Sequence, residues 1–186
     1  MTSQDDTDRF IVLTGGPGAG KSAVIDALAR ADHAHSREAG RAVIQDQVAR
    51  GGRALPWIDP TAFAELMLEF ELRSYGEAQS QRGLVFFDRG MPDIVGYLRL
   101  SGLPVPPHVD NAARTYRYNR RVFILPPWRE IFRQDSERKQ DFGEAVRTYE
   151  MMVRAYGNYG YELVEVPHAS IEERLGLILQ TLAPHP

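Results

Sequence analysis

The chain has 186 residues, 43% of them hydrophobic and 25% charged, with a net charge of −3 and a pI near 6.0. The length fits one domain with a full core, and the mild acidity argues against nucleic-acid binding by the whole surface. No cysteine is present, which excludes disulfides, thiolate zinc sites and cysteine nucleophiles, and no apolar run approaches the roughly 20 residues of a membrane span. Residues 1–8 are polar and acidic, unlike a signal or transit peptide. They read as a disordered tail before a single domain over 9–186, and the expected compartment is the cytoplasm.

The apolar run Phe10-Ile11-Val12-Leu13-Thr14 predicts a strand covered on both faces. It is followed at once by Gly15-Gly16-Pro17-Gly18-Ala19-Gly20-Lys21-Ser22, which fits G-x-x-x-x-G-K-[ST], the pattern of a phosphate-binding P-loop. A helix-forming stretch beginning at Ala23 completes the required strand–loop–helix context. The glycines let several backbone N–H groups converge on one anion, and the helix that starts near Gly20 adds its positive end. Lys21 can reach the β- and γ-phosphates of a nucleoside triphosphate, and Ser22 can place a hydroxyl on Mg²⁺. The expected nucleotide contacts therefore run from Gly15 to Ala23.

Downstream, a short strand is predicted at 34–36 and a helix near 37–50. A Gly/Pro loop carrying Trp57 follows, then a helix over 60–81 whose apolar residues recur at three- and four-residue steps. Leu84-Val85-Phe86-Phe87 is the next buried strand, ended by Asp88-Arg89-Gly90. Helices are expected at 92–100 and 108–116, a strand at 121–125, helices at 128–138 and 143–156, a strand at 161–166 and an amphipathic helix at 169–182. The alternation of strand and helix points to an α/β fold, a parallel sheet wrapped on both faces. The five histidines, at 33, 35, 108, 168 and 185, show no metal-ligand spacing.

Asp88 stands at the C-terminal end of a buried strand, where open α/β sheets bind ligands. It can serve Mg²⁺ beside Ser22, or cap the following helix. The next residue is Arg89, where ATPases that hydrolyse with an activated water often carry a glutamate. A guanidinium can clamp a phosphate or an acceptor but stays protonated and cannot be a base. This favours transfer of a phosphoryl group to a bound acceptor over work-coupled hydrolysis.

The Asp-Arg pair after a hydrophobic strand resembles the Asp/Glu-Arg motif of nucleoside and nucleotide kinases. The P-loop, Asp88-Arg89-Gly90-Met91-Pro92-Asp93, Pro126-Pro127-Trp128 and Val166-Pro167 together resemble the AAA_28 family of predicted P-loop ATPases and kinases. That family is similar to the ribosylnicotinamide kinase domain of NadR-type proteins. The resemblance extends from Phe10 to Leu182 and implies a P-loop NTPase fold with a five-stranded parallel sheet in the order 2-3-1-4-5. It does not imply a AAA+ machine, because Arg89 replaces the expected glutamate and no appended helical domain is expected.

Arg129, Arg133 and Arg138, with Lys139, cluster between the strands at 121–125 and 161–166; kinases of this type close an arginine-bearing lid over the phosphates, which would make Arg133 and Arg138 phosphate contacts. The alternative is a solvated charged helix face. Nucleoside kinases place a carboxylate after the second strand to take the acceptor's proton. Glu38 is the candidate, with Asp88 its rival; the alternative for Glu38 is an ion pair with Arg41. Trp57 is a candidate for stacking on a base or for anchoring its loop. The expected activity is MgATP-dependent phosphoryl transfer to a small-molecule acceptor, with catalytic residues Lys21, Asp88, Arg89, Arg133, Arg138 and Glu38. The alternative is a regulatory nucleotide switch or slow NTPase using ATP or GTP, although no Asn-Lys-x-Asp guanine motif is present. The expected cofactors are ATP and Mg²⁺. The expected partners are the nucleotide and an acceptor the sequence does not name, with neither nucleic acid nor membrane, and the oligomeric state is open.

Overall fold

Five strands form one fully parallel sheet in the order β2-β3-β1-β4-β5. The computed structural model describes residues 4–132 and 141–183, with side chains from residue 7. In chain order the strands are β1 (Phe10–Gly15), β2 (Ala34–His35), β3 (Val85–Asp88), β4 (Arg121–Leu125) and β5 (Glu162–Glu165). The helices are α1 (Gln4–Arg9), α2 (Lys21–Arg30), α3 (Ala39–Ala49), α4 (Pro60–Gln79), α5 (Met91–Leu100), α6 (Pro107–Thr115), α7 (Phe142–Asn158) and α8 (Ile171–Leu182).

The central strands are apolar over Phe10–Leu13, Val85–Phe87 and Val122–Leu125 because helices cover both faces. On β1, Phe10 and Val12 join Val85, Phe87, Val122 and Ile124 on one side, against α3 to α7. Ile11 and Leu13 join Phe86, Phe123 and Leu125 on the other, against α2 and α8. Both sets are fully or almost fully buried, so either register slip of one residue would exchange the two cores. The pairing sets Leu13 of β1 beside Asp88 of β3, and Gly15 beside Leu125 of β4. The loops after β1, β3 and β4 therefore emerge at one edge of the sheet.

Helix starts follow local chemistry. Asp59 caps α4 by accepting from the Ala62 N–H at 2.9 Å, with Pro60 in the first turn. Asp141 and Glu144 form a reciprocal capping box on α7, and Ser170 and Glu173 another on α8. α2 differs: its N-cap is Gly20, with no side-chain cap and no acidic residue in the first turn. Its leading N–H groups keep their capacity for an anion.

Three local expectations change. Residues 4–8 belong to helix α1 rather than to a disordered tail, and the Arg9 guanidinium ties its end to the carbonyls of Ala78, Gln79 and Gln81. Residues 128–132 form a turn rather than the start of a helix, with the Phe132 N–H reaching the carbonyls of Trp128 and Arg129. Its spacing of apolar residues is too sparse to hold a helix face against the core. Helix α3 begins at Ala39, so Glu38 is its N-cap, in extended conformation, and not a residue of the helix body.

Candidate active site

The P-loop leaves β1 through Gly15, whose φ of +135° belongs to the region glycine favours. A Cβ at Gly15 would strike the carbonyl oxygen of Leu125. At Gly18, φ is +70° and a Cβ would lie 2.5 Å from the Phe132 ring, so the loop passes beneath the segment after β4 at near-contact distance. Lys21 is 5% exposed and reaches back over the loop, its Nζ 3.5 Å from the Gly16 carbonyl. Ser22 and Ala23 are exposed at the start of α2.

Asp88 closes β3 and is buried. Its Oδ1 is shielded from solvent and has no hydrogen-bond partner among the described residues. A buried carboxylate oxygen without a partner is costly, and a cation is a natural complement. The donor set of Asp88 and Ser22, both hard oxygens, fits Mg²⁺.

Arg89 adopts a left-handed backbone conformation at φ +77°, a region side-chain-bearing residues rarely enter. Four contacts hold it there. Its N–H donates to the Leu13 carbonyl at 2.9 Å. Its Nη1 donates to the Gly15 carbonyl and to Asp93 Oδ1, both at 3.0 Å, and its Nε to Glu38 Oε1 at 3.1 Å. The guanidinium thus ties the P-loop backbone to two carboxylates.

Asp93 has no separate role by sequence alone, although it lies within Asp88-Arg89-Gly90-Met91-Pro92-Asp93. It is buried, and its two oxygens accept from Thr14 Oγ1 at 2.6 Å, the Tyr156 hydroxyl at 2.5 Å, the Gly90 N–H at 3.0 Å and Arg89. It joins β1, the β3–α5 loop and α7 at one point. Its signal in the sequence is an acidic residue in the first turn of a helix whose other residues up to Leu98 carry no charge.

Glu71 was also missed as a site residue, because it sits within the aromatic stripe of α4. It is 1% exposed, and its Oε2 has no partner among the described residues. Burial, then the charges of Asp93 and Asp88, push its pKa well above the ordinary carboxylate value, with Arg89 opposing. A carboxyl whose folded pKa is raised binds its proton more tightly in the folded state. Its stabilising share is complete below the unfolded value and is lost as pH rises through the folded one. Glu71→Gln should therefore flatten the decline in melting temperature on the alkaline side of pH 4.5. Thermal melts from pH 4 to pH 9, given as rough limits of the carboxylate-to-neutral range, check this; parallel profiles for the two proteins would contradict it.

Beneath the P-loop on the α8 side, Arg174 is fully buried. Its Nε donates to the Pro167 carbonyl at 2.9 Å and its Nη2 to the Ala19 carbonyl at 3.3 Å. The guanidinium lies 5.0 Å from the Trp128 ring centre, and Trp128 stacks on His168 at 4.9 Å with the planes 7° apart. The sequence hint was available: Arg174 takes the inward position of α8, four residues before buried Ile178. Of the proposed lid, Arg129 is described, its guanidinium 4.1 Å over the Phe142 ring. Arg133, Arg138 and Lys139 lie outside the described residues.

A cavity of about 760 Å³ opens from Pro17 of the P-loop, past Glu38 and Arg89, to Trp57. Its walls are mostly apolar, from α3, α4, α5 and α7. Trp57 stands at its mouth, 61% exposed, while Phe63 and Tyr97 pack edge to face at 5.3 Å along its wall. Glu38 borders the cavity and Asp88 does not.

The AAA_28 family model, described as an AAA domain, matches residues 10–174. The chain belongs to this family. The AAA_28 chain has the fold of the P-loop kinases, with the sheet order and P-loop placement described above. Among solved structures it is similar to deoxyadenosine kinase from M. mycoides, with the products dCMP and a flexible dCDP bound. The TM-score is 0.66 at 14% identity, over 93% of this chain and 98% of that one. It is similar also to NadR protein in complex with NR, with a TM-score of 0.66 at 17% identity, over 94% of this chain and 49% of that one. The chain thus spans about half the length of NadR. At these identities the likeness is one of fold. No curated protein matches the chain.

Proposed function

We propose that this AAA_28 chain transfers the γ-phosphoryl group of ATP to a hydroxyl of a small molecule held in the cavity. The observation that carries this reading is the continuity of the cavity with the P-loop, with Glu38 and Arg89 at the junction. An acceptor seated there has its hydroxyl beside the phosphate cradle and beside a carboxylate.

The residues Gly15 to Ala23 hold the triphosphate, and Lys21 meets its β- and γ-oxygens. Asp88 and Ser22 would hold Mg²⁺, which when bound offsets charge on those oxygens. Glu38, rather than Asp88, takes the acceptor's proton, because Glu38 borders the cavity. Arg89 holds Glu38 in place through Nε and braces the P-loop through the Gly15 carbonyl. The acceptor oxygen bonds to the γ-phosphorus as the bond to the β-bridging oxygen breaks, and ADP leaves with that electron pair. Arginine at position 89, in place of a glutamate, stays protonated and cannot itself activate water.

The test is ADP release with and without candidate acceptors. Release stimulated by an acceptor, with a phosphorylated product, supports transfer; slow release that no acceptor changes supports the switch or NTPase alternative. Glu38→Gln should lower kcat about a hundredfold, within the usual range for loss of a general base, while ATP binding by calorimetry stays normal. Undiminished turnover in Glu38→Gln would return the role to Asp88.

A further inference from the structure

Among the described residues Arg174 is the largest that is fully buried. It lies on the α2–α8 side of the sheet and is no part of the cavity wall. Burying a guanidinium is costly unless its donors are met and its charge is balanced. Nε and Nη2 are met by the carbonyls of Pro167 and Ala19, and the face of the group by the Trp128 ring. All three partners are uncharged. The hydrogen bonds are thus satisfied while the positive charge is not neutralised by any of them.

The contact with Ala19 sets the direction of one peptide in the P-loop. The Ala19 carbonyl and the Gly20 N–H belong to the same planar trans peptide, so they point in opposite directions. A guanidinium that holds the carbonyl toward α8 therefore aims the Gly20 N–H away from α8, into the loop. Gly18 and Gly20 have φ of +70° and +83°, in a loop whose successive N–H groups can turn toward one anion. Nη1 of Arg174 lies 2.8 Å from the place a Cβ at Gly20 would take, so the guanidinium packs directly against the back of the loop. Pro167 and Trp128 follow β5 and β4, and through them the same side chain ties the loop to the ends of two strands. Spanning two carbonyls and an aromatic face suits a planar fork of donors and not the single ammonium of lysine.

Resting on the proposed nucleotide site, we propose that Arg174 is a positioning residue for phosphate binding. It aims the Ala19–Gly20 peptide at the phosphates from behind the P-loop and touches no ligand itself. The bound phosphates, across the loop backbone, supply the negative charge that the buried guanidinium calls for.

The test is calorimetric binding of MgATP and of magnesium tripolyphosphate, which offers phosphates without base or sugar. The proteins are the full chain, Arg174→Met and Arg174→Lys, at a temperature where thermal melts show each folded. Methionine fills much of the same space and removes both the donors and the charge. Arg174→Met should bind both ligands at least about tenfold more weakly, in line with the loss of one charge-assisted hydrogen bond. The factor should be the same for the two, because the effect falls on the phosphates. Arg174→Lys keeps the charge but cannot serve both carbonyls, and its affinities should fall between. If Arg174→Met does not fold, Arg174→Lys carries the test, with an expected loss of about threefold or more for tripolyphosphate, part of that same contact. Wild-type affinities in the folded variants reduce Arg174 to a core anchor and overturn the inference. A loss for MgATP with tripolyphosphate binding unchanged places the effect on the base or sugar and overturns it too. A wild-type chain that binds neither ligand overturns the nucleotide site itself, and the inference with it.

Discussion

Lys21→Ala should reduce turnover by about three to four orders of magnitude while the protein stays folded. The size follows from losing a buried charge that acts on the transferring phosphate. Lys21 is 5% exposed, so its charge is only weakly screened by solvent. The contact its Nζ makes with the Gly16 carbonyl, at 3.5 Å, is long, so losing that contact should itself cost little stability. The measurement is steady-state ADP release beside a thermal melt. A folded Lys21→Ala protein with normal turnover would remove the P-loop as the active site. Lys21→Arg should not rescue it, because a planar fork cannot take the place of a compact ammonium under the loop.

Arg89 should show the second large effect, and it should separate into structure and chemistry by the choice of replacement. Arg89→Ala leaves Glu38 and Asp93, with side chains 9% and 6% exposed, short of their shared cation. Removing one partner of a buried ion pair typically costs about 3–5 kcal/mol. Alanine must also accept the φ of +77°, which disfavours it against glycine by about 1 kcal/mol. Arg89→Gly should therefore melt above Arg89→Ala although it removes more atoms. Arg89→Lys keeps the charge but cannot serve Gly15, Glu38 and Asp93 together. It should stay folded and lose about a hundredfold or more in kcat, a loss in line with removing one oriented electrostatic group. Denaturant melts order the three variants, and kinetics on Arg89→Lys isolate the chemical part. Equal stability of the glycine and alanine variants would contradict the left-handed assignment. Normal kcat in Arg89→Lys would reduce Arg89 to a structural brace.

The sequence by itself determined the parts whose cause is local. The P-loop was legible because its conformation is written in adjacent residues: glycines where backbone must turn, a lysine and a serine at the start of a helix. The sheet strands were legible because burial on both faces forces unbroken apolar runs, as in 10–14, 84–87 and 121–125. Strand order came from the resemblance those motifs supported. Asp88 and Arg89 were legible from their place at a strand end.

The tertiary structure decided what depends on distant residues meeting. Glu38 and Arg89 are 51 positions apart, and nothing in either neighbourhood announces their ion pair. Asp93 acquires its role only when Thr14 and Tyr156, brought by β1 and α7, converge on its two oxygens. Glu71 looked like one polar residue on a helix until packing enclosed it. Arg174 looked like part of an amphipathic helix until α8 closed against the Ala19 carbonyl, 155 residues earlier in the chain. The end of the tail and the segment after β4 went the other way: each looked locally simple, and each was set by contacts from elsewhere. Backbone periodicity is a local property, carried by hydrophobicity repeating along one element. Charge pairing and cavity shape are properties of the packed whole, because their energies depend on distance and burial, which a sequence does not contain until it folds.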